Sequence, residues 1–377
     1  MSASKIPASR ADLAIVGGGP AGSAAALTLR RHAPALSVQV LEAGDYTSAR
    51  PGEVLPALAR SLLDQLGVLP AFEAVGFVVG RAVAAAWADP DLAEQHSIFS
   101  ARGPGWHLDR ARFDRLLADA AAAAGARLRT DTAVRSAVPD GEGWSLLLAN
   151  GDEVAACAVV WATGRSWRLA RSLDAQVRVH DELVALGRFF EGVEGDHRTI
   201  IEARPEGWWY SADLPGQRRV ICCMTDPAVA RTLALRTDAG WWRAFEATRH
   251  MASLVSDKAG AGPVEVRSAG TVTLEPAAGR RWVAAGDTLF AADPLSSRGL
   301  VHALRSGVLA AYAAMDMLDG REAESLRRYA MMRDHGFTGY SRSLAGHYAA
   351  AARWPDAPFW QRRTGDAAVA LQIGNTR

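Results

Sequence analysis

Residues Asp12–Gly22 read DLAIVGGGPAG. Asp12–Val16 predicts a short, fully buried strand. GGGPAG follows at once, and SAAALTLRRH then predicts a helix that opens with small residues. The pattern is Gly-x-Gly-x-x-Gly at Gly17, Gly19 and Gly22, in the strand–turn–helix setting that a dinucleotide site requires. Gly17 permits the tight turn, Gly19 lets the backbone approach a pyrophosphate, and Gly22 lets the helix pack closely on the strand. Pro20 and Ala21 fall in the first turn, where unpaired N–H groups favour phosphate. A second strand, Ser37–Leu41, ends in Glu42 and Ala43, twenty residues past Gly22. An acid there accepts hydrogen bonds from an adenosine ribose. Arg30 and Arg31 read as a solvated face of the helix rather than a 2′-phosphate site.

The turn alone does not separate one dinucleotide from another, but three later segments add to it. Gly105–Leu117 (GWHLDRARFDRLL) predicts a strand running into an amphipathic helix. Val159–Arg165 (VVWATGR) predicts a buried strand ending in Ala-Thr-Gly. Arg281–Gly299 (RWVAAGDTLFAADPLSSRG) predicts a strand ending in Gly-Asp, then a loop, then a helix starting near Gly299. From Gly187 to Val272 alternating stretches such as Arg198–Ala203 and Arg219–Met224 read as strands. Trp208, Trp209, Tyr210, Trp241 and Trp242 concentrate there. Alternation allows only one of Trp208 and Trp209 to face a given side of a sheet.

Composition narrows the classes. The 377 residues are 49% hydrophobic and 22% charged, with a formal net charge of +1. That balance predicts a globular core and argues against a nucleic-acid footprint or a polybasic membrane surface. The three cysteines, Cys157, Cys222 and Cys223, show no metal-ligand spacing, so no metal site is expected, and neighbouring Cys222 and Cys223 are poorly placed to pair. This usage, with no signal-peptide pattern and no membrane-spanning apolar run, predicts a soluble cytoplasmic protein. Only two lysines occur, Lys5 and Lys258.

With these residues in hand, the chain resembles the FAD-dependent monooxygenases of the p-hydroxybenzoate hydroxylase type. It is most similar to the tryptophan-halogenase-like branch, which includes flavoproteins that modify tryptophan in quinone-cofactor amine oxidases and dehydrogenases. The resemblance spans roughly residues 10–345. It rests on IVGGGPAG, PGEVLP at Pro51–Pro56, HLDRARFDRLL, Ala162–Gly164, GWWYSADLP at Gly207–Pro215, and the Gly-Asp…DPLSSRG segment. It implies an α/β fold: a Rossmann-type, glutathione-reductase-like FAD domain (8–75, 103–168, 276–318) interleaved with a smaller β-sheet substrate domain (76–102, 169–275). Residues 319–377 form a helical tail that would cap the pocket, pack on the FAD domain or make a dimer contact.

The resemblance also implies residue roles. Asp287, after Gly286, would hydrogen-bond the ribityl chain; an Asp there also suits a helix cap. Arg112 would lie near the pyrophosphate or ribityl region, or else on the helix surface. Val134 would touch the adenine, and Thr163 and Gly164 would border the cofactor. Pro294, Ser297, Gly299 and Leu300 would pass the isoalloxazine, where a helix N-terminus stabilises negative charge. Glu53 would approach the cofactor or cap a helix. His107 would face the flavin or be structural, and His302 on the following apolar helix raises the same choice. Arg298 would turn to the ring and favour reduced anionic flavin, or point to solvent or a carboxylate. Trp208, Trp209 and Tyr210 would wall the substrate pocket or pack in a core.

The implied activity is aromatic hydroxylation through a flavin C4a-hydroperoxide, with O2 as co-substrate and an aromatic substrate, indole or tryptophan among the candidates, free or borne on a peptide. Electrons would come from NAD(P)H directly or from a separate flavin reductase, since no second glycine-rich turn follows a later strand. An oxidase or dehydrogenase, and a flavoprotein that matures a partner protein, are the alternatives. Halogenation in this branch uses a lysine in the first third of the chain between flavin and substrate, and neither lysine matches it.

Overall fold

The computed structural model describes residues 10–48, 50, 52–255, 260–351 and 353–364. Lys5, Pro51, Lys258 and the end of the tail, 365–377, lie outside the described residues.

The strand Ala11–Val16 is the centre of a parallel sheet. It pairs with Val38–Leu41 on one side and Glu153–Trp161 on the other. Arg127–Arg129 and Trp282–Ala284 extend the parallel order outward. Leu13, Ala14 and Ile15 are fully buried, as a central strand covered on both faces demands. An antiparallel meander, Val134–Asp140 and Gly143–Leu148, folds back onto the first half of Glu153–Trp161. Val134 opens the first of these two strands.

The helices Pro20–His32, Arg110–Ala123 and Gly299–Leu318 pack together over this sheet. Small residues set how closely. Gly17 has φ +103°, and a Cβ on it would lie 2.2 Å from the Ala162 carbonyl oxygen. A Cβ on Gly22 would lie 1.8 Å from the Gly17 oxygen, and one on Gly307 2.2 Å from the Ala21 oxygen. The last contact joins the first helix to the helix Gly299–Leu318.

The second sheet has seven strands, in the order Glu265–Ser268, Val184–Glu191, Arg218–Thr225, Gly207–Leu214, Arg198–Arg204, Ala82–Ala86, Ala93–His96. All neighbours are antiparallel except Arg198–Arg204 with Ala82–Ala86. One face is covered by the helix Asp238–Glu246, which carries Trp241 and Trp242; these two tryptophans are helical, with Thr237 as the cap. The other face meets the short strands Val54–Leu55 and Trp106–His107 and the loop at Leu295.

The tail is helical over Glu322–Ala350 and Pro358–Thr364. It packs on the first unit, where the Tyr329 hydroxyl donates to the Ala284 carbonyl (2.6 Å) and the Ser325 hydroxyl to the Ala313 carbonyl (3.0 Å). It then reaches the second sheet, where Tyr348, Phe359 and Trp360 bury Trp208. Packing against the parallel sheet and the helix Gly299–Leu318 is one of the alternatives expected for the tail. No described helix is long and apolar enough to cross a membrane.

Candidate active site

The glycine turn forms a cradle. No side chain caps the helix Pro20–His32, whose N-cap is Gly19. A Cβ on Gly19 would meet only Arg50 Nη1, at 3.9 Å, so the space above this backbone is open where Gly17 and Gly22 are filled. Pro20, Ala21 and Gly22 are buried behind it. Glu42 is buried at the end of its strand. One oxygen accepts from the Gly18 N–H (2.6 Å), the other from the Gly44 N–H (3.1 Å) and Arg50 Nη2 (2.9 Å). Ala43 beside it is exposed and Val134 half-buried.

Sequence reasoning missed Arg50. It bridges Glu42 and the buried Asp114, 3.5 Å away, and so places a cation beside the cradle. Arg110 binds Asp114 from the same helix, four residues earlier. Burial pushes the Asp114 carboxyl up, while Arg110 and Arg50 pull it back. Arg112, named for the cofactor from the motif, is exposed, and its main-chain N–H donates to the Asp109 cap (3.1 Å). The i, i+4 spacing of Arg110 and Asp114 was the available signal for the inward-facing pair.

A second open stretch lies at the helix Gly299–Leu318, which also has no side-chain cap. Pro294, Ser297, Arg298 and Gly299 are exposed, Leu300 is buried, and a Cβ on Gly299 would meet nothing within 4 Å. Arg298 carries no side-chain hydrogen bond or ion pair among the described residues. Asp287, just after Gly286, is half-buried and lies 3.3 Å from Arg165. Arg165 also donates to the carbonyls of Gly270 and Ala292 (both 2.8 Å). Thr163 Oγ1 stands 3.1 Å from Thr288 Oγ1, and Gly164 follows with φ +62°. Two uncapped helix N-termini, two open glycines and a buried acid at the end of the second strand fit an FAD cofactor.

The loop at Leu295 meets a wall of the second sheet. Cross-strand pairing puts Ile201, Tyr210 and Cys222 on one face, in one cluster with Leu295. Glu53 lies beside them. Burial pushes its carboxyl up, against the pull of its own main-chain N–H, Arg110 and the Gly52 N–H. Burial, then the nearby Glu53, also raises the Tyr210 phenol and the Cys222 thiol. All three are held toward their neutral forms.

The three aromatic residues expected at the pocket separate by alternation. Tyr210 belongs to this wall. Trp208 shares its face but is 1% exposed beneath the tail. Trp209 points the other way, onto Trp241 and Phe245 at 5.4 and 6.0 Å, and belongs to the helix-covered core. Its placement in a pocket wall is therefore corrected: a strand residue adjacent to Tyr210 cannot share its face. His107 is 2% exposed, with Nε2 3.1 Å from Thr199 Oγ1. Burial pushes its pKa down to about 4, so it is neutral at ordinary pH. His302 sits against the Phe290 ring, 4.9 Å between centroids, its basicity lowered by burial.

Known proteins bear on this geometry. A family model described as an FAD binding domain matches residues 10–280. The chain is similar to LodB of Marinomonas mediterranea, an inferred FAD-dependent oxidoreductase, at 28% identity over 363 residues, covering 93% of this chain and 96% of that one. Its fold is similar to that of the myxobacterial chondrochloren halogenase CndH (TM-score 0.85, 20% identity, 97% of this chain and 90% of that one). It is similar also to the peptidyl tryptophan dihydroxylase QhpG, essential for tryptophylquinone cofactor biogenesis (TM-score 0.78, 24% identity, 95% and 79% covered). With the family model spanning most of its length and an open cradle to match, the chain belongs to the FAD binding domain family and is an FAD-dependent oxidoreductase.

Proposed function

We propose that this chain is a monooxygenase that hydroxylates an aromatic ring, an indole or tryptophan side chain on a small molecule or a peptide, with O2 as co-substrate. The observation that carries this reading is the neutral, largely apolar wall of Ile201, Tyr210, Cys222 and Leu295 with Glu53 at its side. Such a wall suits a flat uncharged ring and excludes water. FAD, when bound along the glycine cradle, supplies the oxygen-activating redox chemistry. Glu53, with a raised pKa, is the group best suited to take or return a proton at the ring. Arg298, exposed next to Gly299 and with no side-chain partner among the described residues, would stabilise negative charge at that end of the cofactor. His107, neutral and hydrogen-bonded to Thr199, is the further candidate base. Asp287 would hold the ribityl chain and Arg50 the adenosine side.

Halogenation is disfavoured because no lysine lies between Lys5 and Lys258. Electrons would be delivered by NAD(P)H or by a separate flavin reductase. The unpaired Cys157, Cys222 and Cys223 suit a cytoplasmic setting.

The test is isotopic. FAD-loaded protein, a flavin reductase and a panel of indoles and tryptophan peptides are incubated under 18O2 with bromide present. Product carrying 18O supports the hydroxylase. Brominated product, or peroxide with unchanged substrate, would replace it with a halogenase or an oxidase. Glu53→Gln should lower turnover without loss of FAD.

A further inference from the structure

The residue before the exposed loop, Asp293, is fully buried. As the cap of the short turn Pro294–Ser296 it needs one carboxylate oxygen, and Oδ1 accepts from the Leu295 N–H at 2.8 Å. The second oxygen is used otherwise. Oδ2 accepts from the Tyr348 hydroxyl at 2.7 Å, from the far end of the tail helix. The Asp293 N–H donates to the Tyr340 hydroxyl at 2.8 Å, two turns earlier on that helix. The Tyr348 oxygen in turn accepts from Trp208 Nε1, at 3.3 Å, on the strand that carries Tyr210. One hydroxyl thus joins three elements that are distant in sequence: the tail helix, the substrate-facing strand and the loop.

Asp293 has no direct ion-pair partner among the described residues. Arg363, the cation nearest the Tyr348 ring at 5.4 Å, is committed to Asp181 and Asp226. Arg363 acts on Asp293 only at a distance, and a buried carboxylate without a direct ion pair depends on its hydrogen bonds, so each donor has leverage over the backbone that the carboxylate holds. Here that backbone carries Leu295, which packs against the same buried cluster as Tyr210 and Cys222, and leads to Ser297–Gly299.

We propose that Tyr348 is a positioning residue of the active site: through Asp293 it sets the conformation of the loop Pro294–Gly299, so the tail is part of the flavin site rather than only a cover for the sheet. The inference rests on the reading that this loop passes the isoalloxazine, and its test separates the two.

Tyr348→Phe keeps the ring and removes the hydroxyl. Phe359→Leu, in the same aromatic cluster 6.2 Å from the Tyr348 ring, is the packing control. Gly299→Val probes the loop directly. Each purified protein is titrated with FAD, and its bound-flavin absorption bands and midpoint potential are recorded. Tyr348→Phe should weaken FAD binding about tenfold and shift both bands and potential, while Phe359→Leu lowers only thermal stability. Tyr340→Phe, which loses the neighbouring bond, should shift the flavin in the same way and serves if Tyr348→Phe does not fold. Unchanged flavin properties in both tyrosine variants, with Gly299→Val perturbed, overturn the positioning role alone. An equal shift in Phe359→Leu overturns it too, as general loosening of the tail. Silence in all variants overturns the loop reading itself.

Discussion

At the residue scale the two flanking glycines and the central one are different. Gly17 and Gly22 are filled by the protein's own backbone, whereas Gly19 faces open space. Gly19→Val should therefore fold with nearly unchanged thermal stability and lose FAD. Gly22→Ala, whose Cβ would meet the Gly17 oxygen at 1.8 Å, should lose both. Thermal melts with flavin content read from absorbance check this, and normal FAD content in Gly19→Val would refute the cradle.

Two buried groups give pH effects of opposite sign. His107 is pushed down to about 4, so the folded state binds fewer protons than the unfolded one between that value and 6.5. Its contribution is present above about pH 6.5 and is lost as pH falls toward 4. Asp293 is pushed up to about 6 by burial, so its contribution is complete below 3.8 and is lost as pH rises through 6. Each is about 3 kcal/mol at full extent. In urea denaturation between pH 4 and 6.5, the stability of His107→Gln relative to wild type should fall as pH rises. That of Asp293→Asn should rise. Parallel curves for wild type and both variants would contradict the assigned environments.

At the scale of elements, the packing of the helix Pro20–His32 on Gly299–Leu318 holds the two open N-termini in a common frame. Gly307 permits it, since a Cβ there would lie 2.2 Å from the Ala21 oxygen and 3.0 Å from the Ala24 Cβ. Gly307→Ala raises helix propensity but forces the helices apart. A net loss of about 1–3 kcal/mol is expected, with weakened FAD binding although the site is never touched. A stabilised variant in calorimetry would show that the contact is slack. The strand–turn–helix beginning at Ala11 and the strands at Val38 and Arg198 were legible because period and glycine spacing are local. The helix Asp238–Glu246 was not, because its tryptophans followed a run of strands and its Thr237 cap went unread.

At the scale of the molecule, the tail is bound by Arg363 to the chain that flanks two strands of the second sheet, before Val184 and after Thr225. The Arg363 side chain is 6% exposed, and the guanidinium bridges Asp181 (2.7 Å) and Asp226 (2.8 Å). Removing one partner of a buried ion cluster leaves the others uncompensated. Arg363→Met should cost about 3–5 kcal/mol and expose Trp208 and Trp360, seen as a red shift in tryptophan emission. Wild-type stability in that variant would mean that the aromatic packing suffices.

The sequence by itself determined the strand–turn–helix that opens this protein. Gly17, Gly19, Gly22 and Glu42 are read from spacing because strand, turn and helix bring them together over a short stretch of chain, whereas the role expected of Asp287 is one the resemblance implies. The sequence also set the alternation that divides Trp208 from Trp209. Only the tertiary structure decided which side of that strand meets the loop at Leu295, and that Arg50 reaches Glu42 and Asp114. It alone joined Tyr348 to Asp293, 55 residues apart. These contacts depend on how two sheets and a tail pack against one another, and no periodicity along the chain encodes a distance between elements that meet only on folding.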